Sequence, residues 1–176
     1  MQWRTGRNGP EREAPRRRLA VLLSIALGFL LVVGVAVATP GMGLISAPVH
    51  ARGTSPEKLI INSKSGVHLK TKDSTDFVTQ QLVFAGGGHT GWHSHPGPVL
   101  VTVKRGALRL IYANDPTCTG TVYEAGDSFV DRGDAVVHIA RNESILNEVE
   151  LWATYLVPGD PGGPFRLDEP APSECG

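Results

Sequence analysis

The sequence predicts an all-β domain of antiparallel strands, carried behind a single hydrophobic segment near the N-terminus. Three observations predict it. Short runs rich in β-branched and aromatic residues recur between residues 77 and 157, separated by Gly, Asp, Asn and Pro at the spacing of sandwiches and barrels. After residue 40 there is no apolar period long enough for a helix of normal length, and no internal repeat. From Leu19 to Ala38 the only clearly polar residue is Ser24.

The elements follow in chain order. Residues 1–18 hold six Arg against two Glu, a basic tail of +4 in a chain of 176 residues and zero net charge, so the remainder is mildly acidic. A folded body without clustered Lys and Arg has no footprint for phosphate backbones, and no nucleic-acid partner is expected. Residues 19–38 then supply about 20 apolar positions at roughly 1.5 Å per residue, enough to cross a hydrocarbon core of about 30 Å. Arg16, Arg17 and Arg18 directly precede this run, which keeps the tail cytoplasmic and sends everything after Pro40 across the membrane. The membrane is thus an expected partner through residues 19–38, with the C-terminal domain extracytoplasmic on a single-pass anchor. The run exceeds the roughly 7 to 15 residues of a signal-peptide core, which favours an anchor. Ala36, Val37 and Ala38 nevertheless form a small-x-small site, and cleavage after Ala38 would release the domain as a secreted protein.

Residues 39–56 are rich in Gly, Pro, Ala and Ser and read as a flexible linker; residues 158–176, with repeated Pro and Gly, read as a flexible tail. The folded domain is therefore expected over residues 57–157, a size that suits one hydrophobic core. Within it Phe77 to Ala85, Val99 to Lys104, Ala107 to Ala113, Val136 to Ala140 and Val149 to Val157 are predicted strands, and Arg105 with Gly106 a tight turn between two of them. Cys118 and Cys175 are too far apart for a metal-binding or redox CxxC pair. Two readings stay open for them: a disulfide, which an exported compartment permits, or two unpaired thiols.

Chemistry concentrates in Gly87 to Gly106, which reads GGHTGWHSHPGPVLVTVKRG. On a strand, residues i and i+2 share a face at about 6.5 to 7 Å, so His93 and His95 can converge on one ion at metal to nitrogen distances of about 2.0 to 2.1 Å. A third imidazole is offered by His138 in the strand-like run after GDSFVDRGDAVVHIARN begins at Gly126. His89 is the rival third member, forming a purely local cluster, although Thr90 and Gly91 suggest a turn there. His50 and His68 are expected at the surface. Trp92 reads as a core or rim residue before a ligand-stacking one. Asn142, Glu143 and Ser144 spell a glycosylation sequon.

At these residues the sequence resembles the cupin superfamily, as a small single-domain member. The first motif of that family is Gly, five residues, His, one, His, three or four, Glu, six, Gly; Gly87, His93, His95 and Gly106 match it, with Val99 at the Glu position. The second is Gly, five, Pro, one, Gly, two, His, three, Asn; Gly126, His138 and Asn142 match with one extra residue before the His, and the Pro is absent. Because Asn142 completes that motif, the sequon is read as accidental. The resemblance covers roughly residues 77 to 157.

The resemblance implies a double-stranded β-helix, or jelly roll, with a divalent metal (iron, zinc, manganese or nickel) held by His93, His95 and His138 inside the barrel mouth. Replacement of the usual Glu by Val99 removes a negative charge and leaves more coordination positions open. Gln81, Glu124 and Asp127 are the candidates to substitute for it. A small-molecule ligand would enter a mostly apolar pocket shaped by Gln81, Val99, Val101, Ile111, Phe129 and Val136. Three-histidine sites in cupins imply dioxygenase-type chemistry; the other class of function is a non-catalytic binding or sensing module at the cell envelope, with or without metal. Cupin barrels often pair, so a homodimer is expected.

Overall fold

The computed structural model describes Met1, residues 37–160 and residues 162–175. The predicted basic tail except Met1, and all of the predicted membrane segment except Val37 and Ala38, lie outside the described residues, as does the helix expected there. Among the described residues no helix is long and apolar enough to cross a membrane.

Among the described residues thirteen strands follow one another: β1 (Met42–Ser46), β2 (Val49–Ser55), β3 (Ile60–Asn62), β4 (His68–Lys70), β5 (Thr75–His89), β6 (His93–Ser94), β7 (Val99–Arg105), β8 (Ala107–Tyr112), β9 (Thr121–Glu124), β10 (Ser128–Asp131), β11 (His138–Asn142), β12 (Val149–Pro158) and β13 (Leu167–Asp168). All pairings are antiparallel, and eleven of the strands form one curled sheet in the order β10-β7-β12-β5-β11-β6-β13, with β1 and β2 added to β5, β8 added to β11, and β9 added to β8. The result is the expected all-β jelly-roll barrel. Three of the five predicted strands fall within β5, β7 and β12; Ala107 to Ala113 runs one residue past β8, and Val136 to Ala140 overlaps β11 over its last three residues.

The sheet curls because its strands bury one face and wet the other. In β7, Val99, Val101 and Val103 are buried while Leu100, Thr102 and Lys104 are exposed. The buried side chains of β7 meet Leu108 and Leu110 of β8, Ala140 of β11 and Leu151, Ala153 and Tyr155 of β12 in one core. The long strand β5 binds the two halves of the barrel, pairing with β12 from Phe84↔Val149 to Thr75↔Pro158 and with β11 at His89↔Arg141. The turn from β7 to β8 rests on Gly106, whose φ of +81° is the left-handed region that turns of this kind use.

Two sequence expectations are overturned here. Residues 39–56 are not a linker: they hold β1 and β2, which pair with β5 at Leu44↔Phe84 and at Arg52↔Val78. Residues 158–176 are not a free tail either. Pro158 ends β12, β13 pairs with β6, Glu169 N donates to the Trp92 carbonyl, and Cys175 is bonded to Cys118. That closing segment covers a second, smaller core of Trp92, Ile111 and Ile139, against which Val137 and the two cysteines pack. Both segments escape a reading by hydrophobic period because they are covering elements: β1 and β2 are almost wholly exposed on their side chains and are held by backbone pairing. Residues 60–70 form a separate two-stranded hairpin of β3 and β4.

Candidate metal centre

The three histidines predicted from the motifs meet. His93 lies on β6 and His138 opens β11, and the two are direct register partners across those strands. His95 follows β6 by one residue. His93 and His95 share a face, as i and i+2 must, and Ser94 turns the other way to donate its hydroxyl to Glu169. All three histidines are buried. Ring centroids are 4.2 Å apart for His93 and His138, 4.8 Å for His93 and His95, and 5.2 Å for His95 and His138. One ligand nitrogen from each ring lies within 4.8 Å of the others, so the group is positioned to hold a metal ion.

The chemistry of the rings fits that role. His93 Nδ1 stands 2.9 Å from the Gly91 carbonyl, His95 Nδ1 2.7 Å from the Phe165 carbonyl, and His138 Nδ1 3.1 Å from the Val136 carbonyl. A carbonyl only accepts, so each Nδ1 carries the proton and each Nε2 is left with its lone pair free. Backbone carbonyls that fix the tautomer in this way are the usual outer support of a metal-ligating histidine. Burial holds all three rings neutral. It pushes His95 down to about 4 against the pull of the Phe165 carbonyl; it lowers His138, opposed by the nearby charge of Asp131; and it drives His93 far below the ordinary imidazole range, helped by the facing His138 and by Arg166.

The other predicted residues divide cleanly by strand face. Val99, Val101 and Phe129 line a cavity of about 620 Å³ in front of the histidines, together with Leu82, Phe84 and Tyr155. Gln81, Ile111 and Val136 do not line it. Gln81 alternates with the inward Gln80 and Leu82 and so points outward, donating to Glu150. Ile111 alternates with the inward Leu110 and belongs to the smaller core beside Trp92. Val136 stands in the turn before β11 and contributes its carbonyl to His138. Glu124 and Asp127 are exposed at the turn from β9 to β10, so neither substitutes for the missing Glu. His89 reaches the cavity wall, but its Nδ1 accepts from Gly91 N and it stands outside the cluster. Asn142 is buried and donates to the carbonyls of Ala85 and Asn147, which leaves its amide unavailable as a glycan acceptor in the folded protein.

Three residues at the site were not anticipated. Phe165 and Arg166 come from the segment read as a tail; Phe165 supplies the carbonyl for His95, and Arg166 lines the cavity mouth while pairing with Asp168 at 2.7 Å. Asp131, the last residue of β10, is 2% exposed and faces the cluster. Its Oδ2 is 3.7 Å from His138 Nδ1 and 4.0 Å from His95 Nε2. The spacing of Phe129 and Asp131 carries the period-2 signal of an inward pair, but a strand of four residues after a Gly and Asp-rich turn gives that signal too little length to be read.

No family model matches the chain, and no curated protein matches it. Among solved structures it is similar to a cupin-superfamily protein of Desulfitobacterium hafniense at 10% identity, covering 65% of this chain and 84% of that one with a TM-score of 0.41. It is similar to a cupin-like protein of Thermotoga maritima at 23% identity, covering 56% and 70% with a TM-score of 0.45. A protein with a double-stranded β-helix domain from Klebsiella pneumoniae gives 22% identity, 64% and 84% coverage and a TM-score of 0.43. The strand register of the barrel, and the convergence of His93, His95 and His138 inside it, make this chain cupin-like in fold.

Proposed function

We propose that this chain is an extracytoplasmic cupin that holds one divalent metal ion through Nε2 of His93, His95 and His138 and presents it to a small apolar molecule in the barrel. The observation that carries the reading is the set of three Nδ1 to carbonyl hydrogen bonds, which leaves the Nε2 lone pairs of three cavity-lining rings with no other occupation. Imidazole donors suit iron, zinc, manganese or nickel. An ion held so supplies Lewis acidity and, where it is redox-active, electron transfer. The protein's own part is to exclude water and to select a ligand by shape, since the walls around Leu82, Val101, Phe129 and Leu151 are hydrocarbon. Dioxygenase-type turnover of a thiol, diketone or phenol is the reaction class proposed. The proposed location beyond a membrane rests on residues 19–38 with the preceding arginines, and the disulfide agrees with an oxidising compartment.

Elemental analysis of the purified full-length chain tests the metal. One equivalent of a transition metal is expected in the parent protein and less than a tenth of that in His93→Ala and in His138→Ala. Equal metal content in all three would overturn the reading. Oxygen uptake by the loaded protein with thiols, diketones and phenols then decides between turnover and a module that only binds its ligand.

A further inference from the structure

The sequence motif leaves the metal centre one carboxylate short, and the fold supplies one from a neighbouring strand. β10 and β7 pair so that Asp131 lies directly opposite Val99, the position where the resemblance calls for Glu. Directly opposed residues of an antiparallel pair point to the same side with Cβ atoms about 4.5 to 5.5 Å apart. A carboxylate at residue 131 is therefore displaced from one at residue 99 by a single strand spacing, and it faces the same cavity.

The state of Asp131 points to a ligand. Its Oδ1 accepts from the Tyr112 hydroxyl at 3.3 Å, and its Oδ2 is the one buried side-chain polar atom without a hydrogen-bond partner among the described residues. A buried carboxylate oxygen facing hydrocarbon and three neutral imidazoles is costly unless a cation compensates it. Arg166 does not reach it: that guanidinium is spent on the Thr90 carbonyl and on Asp168. Oδ2 stands 3.7 Å from His138 Nδ1 and 4.0 Å from His95 Nε2, at the edge of the group that the three histidines form, so the carboxylate has to turn by a fraction of a strand spacing to close on an ion that the Nε2 atoms hold.

We infer that Asp131 is the fourth protein ligand of the three-histidine centre, its Oδ2 taking the place of the motif glutamate that Val99 has replaced. The assignment rests on the three-histidine reading and extends it. A centre of three neutral imidazoles and one carboxylate lowers the charge of a dipositive ion to +1, and the ion in turn compensates a side chain that is otherwise stranded.

The test is a titration of the metal-free full-length chain with Co2+ alone, reading affinity by chelator competition and ligand field by visible absorption. The parent protein is expected to bind one equivalent. Asp131→Asn keeps the shape and the Tyr112 contact but removes the charge; it is expected to bind Co2+ at least tenfold more weakly with a shifted absorption band. His93→Ala is expected to lose saturable binding. The double variant Val99→Glu with Asp131→Asn is expected to regain most of the lost affinity, because it returns the carboxylate one strand over. Thermal melting without metal shows that each variant folds, and Asp131→Asn is expected to melt no lower than the parent. Parent-like affinity and spectrum in Asp131→Asn, with binding lost in His93→Ala, would overturn the role of Asp131 and leave the histidine centre standing. Absence of saturable Co2+ binding in the parent would overturn the centre itself.

Discussion

At the scale of single residues the site is a set of imidazoles kept uncharged by burial, and that has a consequence for stability. His95 in the folded protein titrates at about 4, below the ordinary imidazole value of 6.5. As pH falls the unfolded chain therefore takes up the proton first. Stability of the metal-free protein is at its full value above about pH 6.5, declines through the window down to about pH 4, and gains no further penalty from this group below it. The shift is equivalent to roughly 3 kcal/mol for His95, with His93 and His138 acting in the same direction. Urea unfolding of chelator-treated protein at several pH values between 7.5 and 4 checks this. The decline should be visibly shallower in His95→Asn; an equal slope in both proteins would show that the ring is not held neutral by the fold. The histidines were legible because their spacing is local and chemical, a pair at i and i+2 framed by Gly87 and Gly106. Asp131 was not, because it joins the site through the register of β10 on β7, and nothing in the linear neighbourhood of Val99 announces residue 131.

At the scale of elements, the strands that the sequence revealed are those whose alternation is enforced by a buried face, β5, β7, β8, β11 and β12. The strands it concealed are short, exposed or Gly-rich. β2 illustrates the reason: its side chains are nearly all exposed, so selection by the core leaves no trace in its pattern. What β2 contributes is polar. Arg52 donates from Nε at 2.9 Å and from Nη2 at 2.6 Å to Oδ2 of the fully buried Asp76, and also donates at 2.9 Å to the carbonyls of Asp160 and Gly163, while Thr54 donates to Asp76 Oδ1 at 2.6 Å. The Thr54 hydroxyl first, and then the Arg52 guanidinium, hold the Asp76 carboxyl below the usual range. One guanidinium thus ties β2 to β5 and to the segment that carries Phe165 towards His95. Arg52→Ala strips the cation from a buried carboxylate, and removal of one partner of such a pair costs about 3 kcal/mol or more. The expected result is that loss in urea unfolding together with faster proteolysis between residues 158 and 166. Asp76→Asn in the same background should recover part of the stability, since no uncompensated charge then remains.

At the scale of the folded unit from residue 37 onward, both ends of that unit pair with the barrel, and the disulfide is what keeps the second end there. Cys118 follows β8 and Cys175 nearly ends the chain, with Cα atoms 5.5 Å apart at a sequence separation of 57. From sequence alone the pairing and the two free thiols were equally open, because nothing local brings residue 175 to residue 118. It is the packing of Trp92, Ile111 and Ile139 under the returning segment that does so. Closing a loop of this length restrains the unfolded chain by about 4 kcal/mol in the entropy model. Opening it also frees the segment that ends in Cys175 and contains Phe165, whose carbonyl sets the tautomer of His95. The double variant Cys118→Ser with Cys175→Ser is therefore expected to lose about 4 kcal/mol in urea unfolding, and to bind Co2+ more weakly than the oxidised parent. Reduction of the parent should reproduce both changes, whereas the serine variant should be indifferent to reductant. If stability fell with no change in Co2+ affinity, the returning segment would be a structural cover that the metal centre does not depend on. If neither quantity changed, the segment would be held by its backbone pairing of β13 with β6 and by Arg52, and the covalent link would be redundant.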